Sequence, residues 1–338
     1  GIGYYLGQMP DPYFDANDGD PSYLLRNGGG GNFSDATIES GLAAKRLRRT
    51  FSASFIDLDD DGDLDLLTVN DFSGVDFHFN DGRGHFTDET MKAVDNRSLF
   101  GMSHTFADFD LDGRIDIYAI GMSSTTARRL DSLKLERKGF PEHNKMRKEM
   151  GYGNRMYLAV APGVFKQAPF NDQVNRSGWS WGSTAIDFDS DGDPDLYVAN
   201  GHISAKSARD YCTTFWCQDV YMGKTEPNPV MGLVYSSSEF FKGFEGTSWN
   251  GFEHKTLFMN EEGKKFMNVG FLMGVALEED CLNVIADDID ESRNNAALPI
   301  SSSSTLRCSG AFSAWFLSMS VKPLTRFQLT GMSGLPPG

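Results

Sequence analysis

One nine-residue acidic pattern, D-x-D-x-D-G-x-x-D, occurs three times in the chain. The copies run from Asp57 to Asp65, from Asp108 to Asp116 and from Asp187 to Asp195. Carboxylates at positions 1, 3, 5 and 9 converge on one hard cation only if the chain curls around it, and the Gly at position 6 permits that sharp turn. The backbone carbonyl of position 7 adds one more oxygen ligand. The pattern therefore predicts three calcium loops.

The candidate metal ligands share these loop positions, with side chains at positions 1, 3, 5 and 9 and a backbone carbonyl at position 7. They are Asp57, Asp59, Asp61, Asp63 and Asp65 in the first loop, Asp108, Asp110, Asp112, Arg114 and Asp116 in the second, and Asp187, Asp189, Asp191, Asp193 and Asp195 in the third. Each loop leads directly into a strand-like run such as Leu66-Leu67-Thr68-Val69, unlike an EF-hand loop, which continues to a Glu at position 12. A fourth copy keeps Asp288 and Asp290 but has Ser292 and Arg293 in place of the third Asp and the Gly. This degenerate copy is not expected to bind calcium tightly.

A second pattern, a strand followed by a Gly-containing turn and a Phe, accompanies the acidic loops. The Phe residues of these predicted hairpins are Phe33, Phe86, Phe165 and Phe266. The next acidic loop begins 24 residues after Phe33 and 22 residues after each of the other three. Fixed spacing between short, Gly-punctuated strands is typical of a repeat architecture, and about four strands per 40 to 50 residues indicate propeller blades.

These motifs support a family resemblance. The chain resembles the FG-GAP/VCBS propellers of the integrin α type, and more closely the ASPIC/UnbV family of acidic secreted proteins. The resemblance rests on the three loops, on the strand openings N-R-M-Y at Asn154 and K-T-L-F at Lys255, and on the run from Asp195 to His202. It implies an all-β fold, a β-propeller with calcium loops between the first and second strands of its blades, and it implies no reaction. Five blade units are readable here, whereas the family commonly has seven.

Two inserts and a divergent tail interrupt the repeats. The propeller is assigned to residues 1–290, with a helical, basic insert at 121–153 and an insert at 201–256 that is rich in aromatic residues. The first insert is expected either to pack on the propeller as a surface loop or to bind a partner or cover a substrate. The second is expected either to form its own small core or to present a sugar-stacking or protein-docking surface. The tail at 291–338 contains no Asp or Glu and 10 Ser between Ser292 and Gly338, and it either closes the propeller or is irregular.

Composition limits the choice of partners. A net charge of −16 makes nucleic acid and anionic membranes poor candidates, and no apolar run is long enough to insert into a bilayer. An extracellular or cell-surface location is expected from the resemblance, with the signal peptide outside this chain. The four Cys residues, Cys212, Cys217, Cys281 and Cys308, allow three complete disulfide pairings that the sequence does not distinguish.

Three functions from different classes remain open. The favoured one is an extracellular calcium-stabilised module that recognises a protein or glycan through its loops and inserts. A structural subunit of a surface assembly or filament, which would self-associate, is the second, and a calcium-dependent polysaccharide-active enzyme is the third. No nucleophile, base and oxyanion donor can be assembled from the sequence, so no catalytic residue is assigned. His104 and His202 are interpreted as polar residues at the ends of blades.

Overall fold

Three four-stranded antiparallel sheets follow one another along the chain, and β-strands make up most of the fold. The computed structural model describes residues 12–210, 212, 216 and 246–288, and the backbone of residues 304–310 and 313–316. The all-β prediction is confirmed for this part of the chain. Asp290 of the degenerate loop lies outside the described residues, as does Cys217.

Each four-stranded sheet is a simple up-and-down meander in sequence order. A two-stranded hairpin, β1 (Leu25–Gly29) and β2 (Asn32–Asp35), precedes the sheets. Sheet one contains β3 (Arg49–Ile56), β4 (Asp65–Asp71), β5 (Gly74–Asn80) and β6 (Phe86–Asp88). Sheet two contains β7 (Gly101–Ala107), β8 (Asp116–Gly121), β9 (Arg155–Ala161) and β10 (Val164–Gln167).

Sheet three is built in the same way but is interrupted by the second insert. It contains β11 (Ser180–Ile186), β12 (Asp195–Asn200), β15 (Thr256–Glu261) and β16 (Lys265–Asn268). The short parallel pair β13 (Ser207–Asp210) and β14 (Thr247–Ser248) lies within the insert. A three-stranded sheet follows, in which β17 (Asn283–Asp288) pairs with β18 (Ser304–Gly310) and β18 pairs with β19 (Ser313–Phe316). The divergent tail therefore contributes two strands.

Between residues 12 and 210, helices are few and short. They are a 3₁₀ helix (Leu42–Lys45), α1 (Thr90–Ala93), α2 (Thr125–Ser132), α3 (Pro141–Gly151) and α4 (Asn171–Val174). The first insert is helical as its composition predicts, because it contains both α2 and α3. None of the helices in the described residues has the length and apolar character that crossing a membrane requires.

The hydrophobic cores lie between successive sheets, because the second strand of each sheet is buried on both of its faces. Strands β8 and β12 are buried along their whole length, and β4 is buried at every residue except Thr68. A strand buried on both faces requires a continuous apolar run, which Leu66–Val69, Ile117–Ile120 and Leu196–Ala199 provide. Leu67, Val69 and Phe77 of sheet one pack with Ile117 and Tyr157 of sheet two.

A further cluster joins the first insert to the rest of the fold. Ala127 and Met150, on α2 and α3, are fully buried with Phe72, Phe100 and Trp216. The insert therefore shares a core with the sheets and with the second insert. Of the two interpretations offered by the sequence, packing on the sheets accounts for these contacts.

The first strands of neighbouring sheets lie side by side: β3 contacts β7, β7 contacts β11, and β11 contacts β17. His104 on β7 lies at the first of these boundaries. Its Nδ1 is 3.1 Å from Ser52 Oγ and its Nε2 is 2.8 Å from Ser54 Oγ, both on β3. The interpretation of His104 as a residue at the end of a blade is wrong, because the side chain lies in mid-strand and joins two sheets.

Protonation of His104 is expected to weaken the fold. Burial lowers the pKa of its imidazole from 6.5 to about 4. The unfolded chain takes up a proton near pH 6.5 and the folded chain does not, so the free energy of unfolding falls as the pH is lowered from 6.5 to 4, by up to about 3 kcal/mol. Urea unfolding across this range should show a smaller fall for His104→Gln than for the wild type. Substitution of the exposed His85 with Gln is the control and should leave the pH dependence unchanged; an equal fall in the wild type and His104→Gln would contradict the prediction.

Candidate calcium loops

The three acidic loops lie at the same end of the sheets, each between a first strand and a second strand. Their backbones have the same conformation at two positions. Position 6 is a Gly with φ of 93°, 89° and 101° in Gly62, Gly113 and Gly192, and position 4 is left-handed with φ of 60°, 61° and 63° in Asp60, Leu111 and Ser190. A left-handed residue other than Gly costs roughly 1–3 kcal/mol, so three repetitions of it indicate one shared constraint.

Carboxylates at positions 1 and 5 shape each loop by accepting backbone hydrogen bonds. The position 1 carboxylate accepts from the amide of the position 6 Gly, at 3.0 Å in Asp57, 2.9 Å in Asp108 and 3.2 Å in Asp187. The position 5 carboxylate accepts from the amide of position 7, at 3.1 Å in Asp61, 3.0 Å in Asp112 and 3.2 Å in Asp191. These bonds hold the side chains inside the curl of the loop.

The position 9 carboxylates are fully buried, and both of their oxygens accept hydrogen bonds from backbone amides. In Asp116, Oδ2 accepts from Phe109 N and Oδ1 accepts from Ala159 N on β9, each at 2.8 Å. The same two bonds recur in the first loop, from Leu58 and Asn80 to Asp65, and in the third, from Phe188 and Asn260 to Asp195. Position 9 therefore fastens its loop to the third strand of the sheet, a role that the motif alone does not reveal.

The carboxylate oxygens are close enough to one another to share a cation. In four groups the oxygens lie within 4.8 Å of one another; these are Asp57, Asp59 and Asp61; Asp108, Asp110 and Asp116; Asp187, Asp189 and Asp195; and Asp189, Asp191 and Asp193. One buried oxygen in each of Asp57, Asp59, Asp63, Asp110 and Asp193 has no hydrogen-bond partner in the described structure. Buried unpaired carboxylate oxygens are unfavourable unless a cation or a donor meets them. The residues therefore fit a hard, oxygen-liganded cation such as Ca²⁺.

The electrostatics of the loops agree with that fit. Burial raises the pKa of Asp59 and of Asp193 to about 6, and the pKa of Asp116 and of Asp195 to about 7, with neighbouring carboxylates adding to the effect. Both causes disfavour the charged carboxylate while the loop holds only acidic groups. A divalent cation at the centre reverses this preference because it attracts every carboxylate that surrounds it.

The second loop differs from the other two in charge. Arg114 at its position 7 forms an ion pair with Asp112, the position 5 carboxylate of the same loop. The first and third loops have Asp63 and Asp193 at the corresponding position. Because a positive charge beside the ligands opposes a cation and an acidic side chain attracts it, we expect the second loop to bind calcium most weakly.

Replacement of Arg114 by Asp is expected to strengthen calcium binding at the second loop. The change removes the guanidinium that pairs with Asp112 and adds a negative charge, so the charge of the loop changes by two units. Near a divalent ion at the protein surface, such a change raises the affinity by roughly tenfold or more. Calorimetric titration with Ca²⁺ should show the weakest site shifting while the other two stay constant. Arg26→Asp makes the same charge change on the remote β1 and serves as the control; an unchanged weakest site in Arg114→Asp would refute the assignment.

Two of the loops also contact the hairpin turn of the next sheet. Gly163, in the β9–β10 turn, donates from its N to Leu58 O of the first loop at 3.0 Å. Asn260, at the β15–β16 turn, donates from Nδ2 to Phe109 O of the second loop at 3.0 Å. A Cβ on Gly263 of that turn would lie 2.6 Å from the backbone of Asp110, so the close approach requires glycine. The first and second loops therefore form part of the contact between neighbouring sheets.

Comparison with known protein families identifies a repeat in this chain. Residues 57–119, which include the first two acidic loops, match the FG-GAP-like repeat. The chain is thus an all-β protein that carries an FG-GAP-like repeat, in agreement with part of the resemblance. A comparison with curated proteins finds no significant match.

Proposed function

We propose that this protein is an extracellular, calcium-binding β-propeller that serves as a recognition module for a glycan or another protein, within the ASPIC/UnbV type of FG-GAP proteins. The observation that carries the proposal is the shared backbone conformation of the three acidic loops, which group their carboxylates at the same place in three successive sheets. The side-by-side first strands support blades arranged about one axis. FG-GAP-like repeats typically occur outside the cell, which favours an extracellular location.

The proposal contains no reaction. The acidic side chains of the loops are engaged with one another and with the backbone, since position 9 binds two amides and the other positions face one another. His104, which hydrogen-bonds two serines, is held between two sheets. Calcium in such loops stabilises the sheets, and recognition takes place elsewhere on the surface.

A glycan array probed with the intact protein tests the proposal. We expect binding in Ca²⁺ and loss of binding in excess EGTA, accompanied by three bound calcium ions per chain in metal analysis. Incubation with acidic and neutral polysaccharides should release no new reducing or unsaturated ends. Absence of bound calcium, or the appearance of such ends, would overturn the proposed module in favour of a different binding protein or of a polysaccharide-active enzyme.

One observation favours a structural subunit as the second candidate. Phe51 and Phe55 on β3 are 53% and 50% exposed, so the first strand of sheet one presents apolar rings to solvent. Exposed apolar surface of this kind marks interaction sites. Measurement of particle size against protein concentration separates the candidates. The particle size of an assembling subunit increases with concentration, whereas that of a recognition module with a small ligand stays constant.

A further inference from the structure

A cavity of about 380 Å³ lies at the end of the sheets opposite the acidic loops, where the first strands begin. Its wall includes Phe51 of β3, Met102 of β7 and Trp181 of β11, so three successive sheets contribute to it. The volume is within the range of about 300–1,000 Å³ typical of ligand sites. The cavity is separate from the calcium loops because each first strand runs from the cavity to its loop.

The same backbone irregularity places a residue in the cavity from each of these strands. The pairing register shifts between Thr50 and Ser52, between Gly101 and Ser103, and between Ser180 and Gly182. At each shift one residue has no pairing partner on the neighbouring strand. These residues are Phe51, Met102 and Trp181, the three wall residues named above. A β-bulge redirects a side chain and is common beside binding sites. Three bulges at equivalent positions thus direct three large side chains to one space.

One wall of the cavity is aromatic. Trp181 stacks on Trp179 and on His202, with ring centroids 5.2 Å and 5.0 Å apart, and Trp249 lies 5.2 Å from Trp179. Phe51 meets Trp181 edge to face at 6.0 Å. A wall built from several rings offers a flat apolar surface to a ligand.

The aromatic wall also carries polar atoms that have no partner. The ring nitrogens Trp179 Nε1, Trp181 Nε1 and His202 Nδ1 are buried and make no hydrogen bond within the described part of the chain. Trp179 itself is only 3% exposed. An unpaired buried donor costs roughly 1–3 kcal/mol, and each indole N–H needs an acceptor such as a hydroxyl oxygen. A quaternary ammonium ion has no acceptor and leaves these donors unpaired.

Another part of the cavity wall is polar and comes from sheet one. Asp71, at the end of β4, is 8% exposed, and the structure gives its side chain one hydrogen bond, from Phe72 N to Oδ1 at 3.0 Å. Thr50 and Arg49 line the same part of the wall, and Arg49 donates two hydrogen bonds of 3.0 Å to Asp18. Hydroxyl groups of a ligand can donate to the Asp71 carboxyl and accept from Arg49.

We propose that this cavity binds a neutral pyranose unit of a glycan, whose apolar ring face lies on the aromatic wall and whose hydroxyl groups meet Asp71, Arg49 and the indole N–H groups. The inference rests on the proposed recognition function and assigns it a place and a ligand class. A neutral sugar fits better than an acidic one, because the chain carries a net charge of −16 and the polar wall contains a buried carboxyl.

Titration of the calcium-loaded protein with methyl glucoside, methyl galactoside, methyl mannoside and the methyl glycoside of N-acetylglucosamine tests the inference. Quenching or enhancement of tryptophan fluorescence should saturate at millimolar concentration for at least one of them. Phe51→Ala and Trp181→Ala should each weaken that binding at least about tenfold, and Trp181→Phe should retain part of it. Phe55→Ala is the matched control, since Phe55 lies four residues further along the same strand with nearly the same exposure but outside the cavity.

Each other outcome overturns the inference in a recognisable way. Sugar binding that is equal in the wild type, Phe51→Ala and Trp181→Ala would remove the cavity as the site and leave the glycan-recognition function intact. Binding of tetramethylammonium without any glycoside would replace the sugar with an organic cation. No response to either probe would reject the cavity as a ligand site, and the glycan array on intact protein would then decide the recognition function separately. Melting temperatures measured for every variant in Ca²⁺ exclude loss of folding as the cause.

Discussion

Removal of calcium is expected to lower the free energy of unfolding by several kcal/mol. A ligand at a hundred times its dissociation constant stabilises a folded protein by about 2.7 kcal/mol per independent site, so three filled loops contribute roughly 8 kcal/mol. The physical reason lies in the loops themselves, where the half-buried carboxylate of Asp59 and the buried carboxylate of Asp116 face other acidic groups and have raised pKa values. At about 2–4 °C per kcal/mol for a domain of this size, the melting midpoint falls by roughly 15–30 °C.

Thermal unfolding in excess Ca²⁺ and in excess EGTA measures this effect. Magnesium at the same concentration is the control and should restore less stability, because Mg²⁺ demands near-octahedral geometry and gives up its waters reluctantly. The interpretation of the loops as calcium sites would be wrong if the midpoint were the same in EGTA and in Ca²⁺. Equal stabilisation by both metals would point instead to general screening of the acidic side chains.

The second large effect is expected from Asp116→Ala, even without calcium. This substitution leaves the buried amides of Phe109 and Ala159 without an acceptor, and each unsatisfied amide costs roughly 1–3 kcal/mol. The free energy of unfolding in EGTA should therefore fall by about 2–6 kcal/mol. Asp112→Ala, at the exposed position 5 of the same loop, should change it by less than about 1 kcal/mol in EGTA.

The comparison of the two variants separates two roles that the motif combines. Urea unfolding in EGTA reports the backbone role of position 9, and calcium titration reports the ligand role of position 5. Asp116→Asn retains one acceptor oxygen and should lie between the wild type and Asp116→Ala, which keeps the prediction measurable if Asp116→Ala does not fold. If Asp112→Ala and Asp116→Ala were equally stable in EGTA, the hydrogen bonds of Asp116 would not be the source of its contribution.

Much of this architecture follows from local sequence. The Gly at position 6 and the apolar runs after position 9 predict a sharp turn leading into a buried strand, and the structure has both in all three sheets. These signals are local because the turn depends on backbone conformation at a single residue and the strand depends on consecutive side chains. The helical composition of the first insert is a local signal for the same reason.

Other features depend on contacts between residues that are distant in sequence. Sequence alone places His104 at the end of a blade because it does not show that Ser52 and Ser54 lie on the adjacent strand. It does not predict the cavity for a related reason, since a bulge changes the direction of one side chain without changing the residue pattern of the strand. The aromatic residues Trp181 and Trp249 are conspicuous in the sequence, but only the fold places them together.

Some assignments concern residues or properties beyond the described structure. Cys281 is disulfide-bonded, and Cys212 Sγ lies 3.2 Å from Ser124 Oγ in the buried cluster of the first insert. Cys217 and the side chain of Cys308 are outside the described residues, so the choice among the three pairings stays open. The carbonyl ligand at position 7 and the identity of the metal stay predictions for the titrations above.

The contacts from Gly163 and Asn260 to the loops of the preceding sheet have a consequence for how the protein is degraded. Loss of an ion at one loop loosens the boundary between two sheets and leaves the hydrogen bonds inside each sheet in place. The chain segments at those boundaries, residues 89–100 and 168–179, then become the first accessible to a protease. With calcium in the loops, as proposed, the rate of proteolysis would therefore follow the calcium concentration.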